Sequence, residues 1–166
     1  ELIVYLLIES LVNSYMKMKN LVIFGASGDL AQKKLYPALW DNFNQGCQCI
    51  YYGFGRTDYS NSQFRKIVSS SAPKANHKFV SQFKYVNGSY DEKGLKKLKQ
   101  KINNNQTIFY SALPTRYKII NNLVEGLEKN NLLEESSILV LEKPFGSDYQ
   151  SAKKLMRMIE EEVGQQ

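Results

Sequence analysis

The chain has 166 residues, of which 43% are apolar and 23% charged, and a formal net charge of +6. This is one core-forming domain of ordinary size, and the composition excludes a disordered chain. The early apolar run at residues 2–8 is far shorter than the roughly 20 residues of a membrane span, so we expect no membrane association. Cys47, Cys49 and His77 cannot form a disulfide framework or complete a zinc site. We therefore expect no metal and a reducing, cytoplasmic compartment.

The first residues do not match the pattern that follows. Residues 1–19 are apolar and then polar, and they have neither a basic start nor a small-residue cleavage site. We leave this segment unassigned and predict one domain over residues 20–166.

After this segment, short apolar runs alternate with helical patterns. Predicted strands cover residues 21–24, 49–54, 83–86, 107–113 and 137–141. The first predicted helix covers residues 31–43 and has an apolar face, and the second begins after a Ser60 cap. The third covers 91–102, the fourth begins after Pro114, and the last covers about 147–162. This alternation is typical of α/β proteins and predicts a doubly wound parallel sheet in a single domain. Ligands of such sheets lie beyond the carboxyl ends of the strands.

A glycine-containing turn follows the first predicted strand, with the sequence Gly25-Ala26-Ser27-Gly28-Asp29-Leu30-Ala31. Gly25 permits a tight turn, Gly28 lets the backbone approach a pyrophosphate, and the small Ala31 lets the helix pack near the strand. The amides at the start of the helix favour an anion. The alternative is a turn that only caps the helix.

The second predicted strand indicates which coenzyme is preferred. Domains that prefer NAD place a carboxylate at the end of this strand, but here the first one is Asp58. Arg56 offers a planar fork suited to a 2′-phosphate instead. This favours NADP, although an exposed loop arginine remains the alternative.

The fifth predicted strand is followed by Glu142-Lys143-Pro144-Phe145-Gly146. Proline ends the strand ladder, so the chain must turn there. We expect Lys143 to point into the crevice where substrate and nicotinamide would meet, with a generic surface loop as the alternative.

Four segments in this order resemble the N-terminal coenzyme domain of the glucose-6-phosphate dehydrogenase family over about residues 21–162: GASGDLAQKKLYPALW, YYGFGRT, FYSALPTRY and LEKPFGSDYQSA. The resemblance implies a Rossmann-type fold and the first step of the pentose phosphate pathway. In that reaction glucose 6-phosphate is oxidised to 6-phosphogluconolactone, and a hydride passes from C1 to NADP. The family's Lys-Pro bond is cis, so Lys143-Pro144 is a candidate for that isomer.

The resemblance also implies roles for individual residues. The coenzyme-binding residues would be Gly25, Ala26, Ser27, Gly28, Asp29, Leu30, Ala31, Gln32, Arg56, Tyr117 and Lys143. The residues at the substrate would be Lys34 and Lys143. Gln32 stands where many members have lysine.

The family's catalytic histidine dyad and its R-I-D-H-Y-L-G-K motif do not occur in this sequence. We therefore predict no catalytic residue in the chain, which would be a fragment that binds NADP and is inactive alone. His77 is interpreted as a solvated loop histidine. Full-length family members are homo-oligomers that associate through a second, larger domain.

Two other functions compete with this one. Tyr149 and Lys153 match the Y-x-x-x-K pair of short-chain dehydrogenases, although the glycine pattern differs. A non-catalytic nucleotide-binding or nucleic-acid-binding module could use the basic helix that carries Lys96, Lys97, Lys99 and Lys101. No aromatic residues interleave with these lysines as a stacking platform requires, so we expect no nucleic-acid binding.

Overall fold

A five-stranded sheet forms the centre of the domain. The computed structural model describes residues 18–114, 116–143 and 149–163. All strand pairs in the sheet are parallel, and the strand order is β3-β2-β1-β4-β5. The strands are β1 (Lys19–Phe24), β2 (Cys49–Gly55), β3 (Phe83–Asn87), β4 (Thr107–Ser111) and β5 (Ile138–Leu141). The predicted doubly wound parallel sheet is thereby confirmed.

Helices connect the strands. A π-helix (Ala31–Leu35) continues directly into α1 (Tyr36–Asn44), and it is followed by α2 (Asn61–Ser71), α3 (His77–Ser81), α4 (Glu92–Lys99), α5 (Tyr117–Lys129) and α6 (Tyr149–Val163). In the part of the chain that the structure describes, no helix is both long and apolar enough to cross a bilayer.

Some predicted boundaries were wrong. β4 ends at Ser111 and α4 ends at Lys99, so Lys101 lies beyond the helix that is predicted to carry it. The short helix α3 was not predicted, and His77 is its exposed first residue rather than part of a loop. The Asn76 side chain caps α3 by accepting from the Phe79 amide at 2.9 Å, and the Phe79 ring is fully buried. Packing of this ring stabilises a helix whose own sequence is too short to indicate it.

The sheet has an apolar core on each face, because side chains along a buried strand alternate. Leu21 and Ile23 of β1 face one layer, and Val22 and Phe24 face the other. The first layer is closed by side chains of the π-helix and of α1 to α3, including Leu35, Tyr36, Leu39, Phe64, Val68 and Phe79. The second is closed by α4 and α5 through Leu95, Leu98, Leu123 and Leu127.

The direction of winding reverses at β1. β2 and β3 lie on one side of β1, and β4 and β5 lie on the other. In open parallel sheets such a reversal leaves a crevice beyond the carboxyl ends of the strands, where ligands bind. The segments after β1, β2 and β3 border this edge together with those after β4 and β5.

Candidate functional site

The turn after β1 requires glycine at its first position. Gly25 has a φ of +75°, which L side chains rarely adopt. A Cβ added there would lie 3.0 Å from Leu113 Cδ2 and 3.2 Å from the Ala112 carbonyl oxygen. The turn therefore passes so close to the end of β4 that it has no room for a side chain.

Backbone hydrogen bonds attach this turn to the sheet. The Gly25 and Ala26 amides donate to the Phe54 carbonyl at 3.1 and 3.3 Å, and the Gly28 amide donates to the Gly25 carbonyl at 2.8 Å. A helix begins after Gly28, and the first amides of a helix have no acceptor within it. These amides can bind a phosphate, which the helix dipole also favours.

Two side chains brace the turn from the helix that follows it. The buried Tyr36 hydroxyl donates to the Ala26 carbonyl. Burial, with a smaller contribution from Tyr85, raises the pKa of Tyr36 far above its ordinary value, so the hydroxyl keeps its proton. Gln32 Nε2 donates to the Ser27 carbonyl at 2.7 Å. Gln32 thus supports the shape of the turn through a side-chain N–H donor.

The remaining residues of the turn differ in their exposure. Ala31 is fully buried, in agreement with the close helix packing predicted for it. Leu30 is half-buried. Asp29 is exposed and forms a 2.6 Å ion pair with Lys33 one helical turn later. Lys33 thereby offsets part of the negative charge that Asp29 brings to an anion site.

Arg56 lies directly after β2 and is exposed. Tyr90, which follows β3, packs its ring against Phe24 and Phe54, with ring centroids 6.4 and 5.8 Å apart. Burial raises the pKa of Tyr90, while the Gly25 amide and the Arg56 guanidinium act in the opposite direction. Gly25 and Arg56 follow adjacent strands whose last paired residues are Phe24 and Phe54, so both lie at the carboxyl edge of the sheet.

On the other side of the crevice, Tyr117 is the half-buried first residue of α5. The Lys154 ammonium lies over its ring, 4.3 Å from the centroid. This cation–π contact joins α6 to the segment after β4. Lys154 was not among the predicted site residues, since a contact between two helices leaves no local sequence signal.

Lys143 is exposed two residues after the end of β5. The neighbouring Glu142 accepts a hydrogen bond from the Tyr110 hydroxyl, whose pKa is raised by burial and by Glu142. Lys34 is exposed on the π-helix after β1, and β4 separates β1 from β5 in the sheet. The Lys143-Pro144 bond, proposed to be cis, lies outside the described residues.

Tyr149 and Lys153 are both exposed on α6, and Tyr149 retains 73% of its accessible surface. Among the described residues no group of three or more histidine, cysteine, aspartate or glutamate side chains is arranged to hold a metal ion. The two cysteines are free thiols, and burial raises the pKa of Cys49 to about 11.

The sheet order, the glycine turn at the switch point and the helix that opens beside it define a nucleotide-binding domain of the Rossmann type. The family model described as "Glucose-6-phosphate dehydrogenase, NAD binding domain" matches residues 22–166. The chain therefore belongs to the glucose-6-phosphate dehydrogenase family.

Individual relatives agree with this assignment. The chain is 31% identical to glucose-6-phosphate 1-dehydrogenase 5, cytoplasmic, of Arabidopsis thaliana, a match covering 84% of this chain and 32% of that protein. It is 34% identical to glucose-6-phosphate 1-dehydrogenase of Caenorhabditis elegans, covering 81% of this chain and 29% of that protein. The chain thus spans about a third of the length of these curated relatives.

Solved structures give the same result. A glucose-6-phosphate dehydrogenase in complex with its substrate glucose-6-phosphate superimposes with a TM-score of 0.74 at 32% identity, over 86% of this chain and 34% of that one. The enzyme from Mycobacterium avium superimposes with a TM-score of 0.77 at 25% identity, over 87% and 34%.

Proposed function

We propose that the chain is the coenzyme-binding domain of an NADP-dependent glucose-6-phosphate dehydrogenase. The observation that carries the choice of NADP is the exposed Arg56 directly after β2, the strand that pairs with β1 and lies beside its glycine turn. The segment between β2 and Asp58 holds no carboxylate to accept hydrogen bonds from an unphosphorylated ribose.

The proposed roles follow the order of the strands. The backbone from Gly25 to Gln32 would bind the pyrophosphate, and Arg56 would bind the 2′-phosphate. Tyr117 would lie against the coenzyme, and Lys143 would face both coenzyme and substrate. Lys34 would help to bind the phosphorylated sugar. When bound, NADP supplies the acceptor for the hydride that leaves C1 of the sugar.

A base that takes the C1 hydroxyl proton is not proposed within this chain. Its single histidine, His77, is exposed on α3, which follows α2 rather than a strand of the sheet. The inactivity of the isolated chain stays a prediction, as does homo-oligomerisation of the whole protein.

The compartment and the absence of other partners are also proposals. Three of the relatives carry the word cytoplasmic in their names, which supports the same location here. Lys99 of the basic helix donates to the Asn131 carbonyl at 2.7 Å and lies 3.8 Å from Glu134. These contacts within the chain support a structural role for part of the lysine cluster rather than nucleic-acid binding.

Arg56→Gln tests the choice of coenzyme. The substitution removes the guanidinium charge, so we expect NADP+ affinity to fall about ten- to a hundredfold while NAD+ affinity changes little. Isothermal titration calorimetry on the whole chain measures both affinities. Lys101→Gln, which removes an exposed positive charge between α4 and β4, is the matched control. Equal affinity of the unmodified chain for the two coenzymes would refute the proposal.

A further inference from the structure

The loop that carries Arg56 is held by side chains of the neighbouring strand. We propose that Asn87 and Tyr85 of β3 are positioning residues that fix this loop and thereby set the selectivity for a 2′-phosphorylated adenosine. This inference rests on the proposed function, because it concerns the same site.

Three successive carbonyls, beginning with the last residue of β2, accept hydrogen bonds from the end of β3 and the residue after it. The Gly88 amide donates to Gly55 at 2.9 Å. Asn87 Nδ2 donates to the Arg56 carbonyl at 2.8 Å, and the Tyr85 hydroxyl donates to the Thr57 carbonyl at 2.9 Å. The backbone on both sides of the Arg56 Cα is thus attached to β3.

These side chains continue a ladder that the backbone no longer forms. The parallel register between β2 and β3 ends at the pair Gly55 and Asn87. Beyond that pair the loop would be free to move away from β3, since loops lose backbone partners where strands end. Asn87 and Tyr85 supply the missing donors from their side chains.

Tyr85 is itself fixed in place. Its amide donates to Asn61 Oδ1 of α2 at 2.7 Å, and its ring packs against Phe64 with centroids 4.8 Å apart. Gly55 lies directly beneath the hydroxyl, because a Cβ added there would be 2.8 Å from the Tyr85 oxygen. The hydroxyl is therefore held by the packed core, and it can in turn hold the loop.

Fixing this loop should affect the binding of one phosphate group of the nucleotide and not the others. Arg56 carries its charge on a long exposed side chain, and ordering such a side chain on a ligand costs conformational entropy. A fixed backbone reduces that cost for the 2′-phosphate alone. The remaining phosphate contacts come from the glycine turn, which is attached to β2 through Phe54 instead. Loss of the two clamping side chains should therefore weaken recognition of the 2′-phosphate without weakening the rest of the nucleotide site.

Calorimetry on the whole chain with two nucleotides tests this inference. Adenosine 2′,5′-bisphosphate and AMP differ only by the 2′-phosphate. For Asn87→Ala and for Tyr85→Phe we expect the affinity for the bisphosphate to fall about three- to tenfold, the range for one lost hydrogen bond. The affinity for AMP should stay unchanged.

Gln106→Ala is the matched control. Gln106 Nε2 also donates to a distant carbonyl at 2.8 Å, that of Ser136, and it is placed directly before β4, at the opposite end of the sheet. This variant should keep both affinities. Tyr85→Phe removes a single oxygen and so provides the test if Asn87→Ala does not fold.

The outcomes separate the inference from the proposed function. An unmodified chain that binds AMP as tightly as the bisphosphate would overturn the proposed function and this inference with it. Selectivity in the unmodified chain that persists in Asn87→Ala and Tyr85→Phe would overturn the inference alone. An equal loss of both affinities in these variants would also overturn it, because the residues would then support the whole site.

Discussion

At the scale of single residues, Gly25 and Gly46 separate backbone strain from steric crowding. Both have a positive φ, of +75° and +97°. Only Gly25 is crowded, with Leu113 Cδ2 at 3.0 Å from an added Cβ, while nothing lies within 4 Å of one at Gly46. Gly25 also carries the turn that would bind the pyrophosphate. The two glycines therefore form a natural pair for substitution.

We expect Gly25→Ala to lower the free energy of unfolding by more than about 1 kcal/mol and to abolish detectable NADP+ binding. The added methyl group must displace either Leu113 or the turn itself. Gly46→Ala should cost about 1 kcal/mol from backbone strain alone and leave binding intact. Urea denaturation measures the first quantity, and calorimetry the second. Normal NADP+ affinity in Gly25→Ala would contradict the role assigned to the turn.

The sequence alone predicts the glycine turn, but it does not predict the contacts that hold the loop of Arg56. The spacing of Gly25 and Gly28 is a local signal, and it predicted the tight turn after β1. The charge of Arg56 is a local signal too, and the role assigned to it stays a prediction. Asn87 reaches Arg56 across 31 positions of sequence. That contact depends on the register between β2 and β3, and strands buried on both faces lack the alternation from which register could be predicted.

At the scale of elements, α2 shows how a local signal fixes a helix end. Ser60 Oγ accepts from the Gln63 amide at 3.2 Å, and Gln63 Oε1 accepts from the Ser60 amide at 2.8 Å. This reciprocal pair is a capping box. The predicted Ser60 cap is therefore confirmed. α3 lacked such a strong signal, and its position depends on the burial of Phe79, which only the assembled fold provides.

Ser60→Ala should lower the free energy of unfolding by about 1 kcal/mol, because the Gln63 amide loses its acceptor. Ser62→Ala, two positions later on the exposed part of the same helix, should be neutral or slightly stabilising, since alanine favours helix. Urea denaturation of both variants gives the comparison. Equal stabilities for the two variants would show that the box contributes nothing measurable.

At the scale of the whole molecule, one core layer buries ionisable hydroxyl and thiol groups together. Tyr36, Tyr51 and Cys49 are each at most 6% exposed and belong to the same layer. Burial is the main cause that raises the pKa of each. For Cys49 the pKa rises from 9.0 to about 11, with Cys47 adding to the rise and Lys19 opposing it. The folded state therefore retains protons that the unfolded chain releases in alkali.

A folded-state pKa above the unfolded value stabilises the native protein fully below the unfolded pKa, and this contribution is lost as the pH rises toward the folded value. For Cys49 this window runs from 9.0 to about 11, and for the tyrosines it opens at their ordinary pKa of 10.0. We expect the free energy of unfolding to be nearly constant to about pH 8.5 and then to fall. Each buried group contributes at most about 1.4 kcal/mol per pH unit to this decrease.

Urea denaturation across this range measures the loss. Tyr51→Phe removes one buried hydroxyl, so the decline above about pH 10 should become shallower by that group's share. Tyr149→Phe removes a hydroxyl that is 73% exposed and should leave the slope unchanged. Identical slopes for the two variants would show that burial of Tyr51 does not govern alkaline unfolding. A shallower decline in Tyr51→Phe alone would show that burial of this hydroxyl contributes to the loss of stability in alkali. The alkaline limit of stability would then depend on the packing of the core layer beneath the nucleotide site.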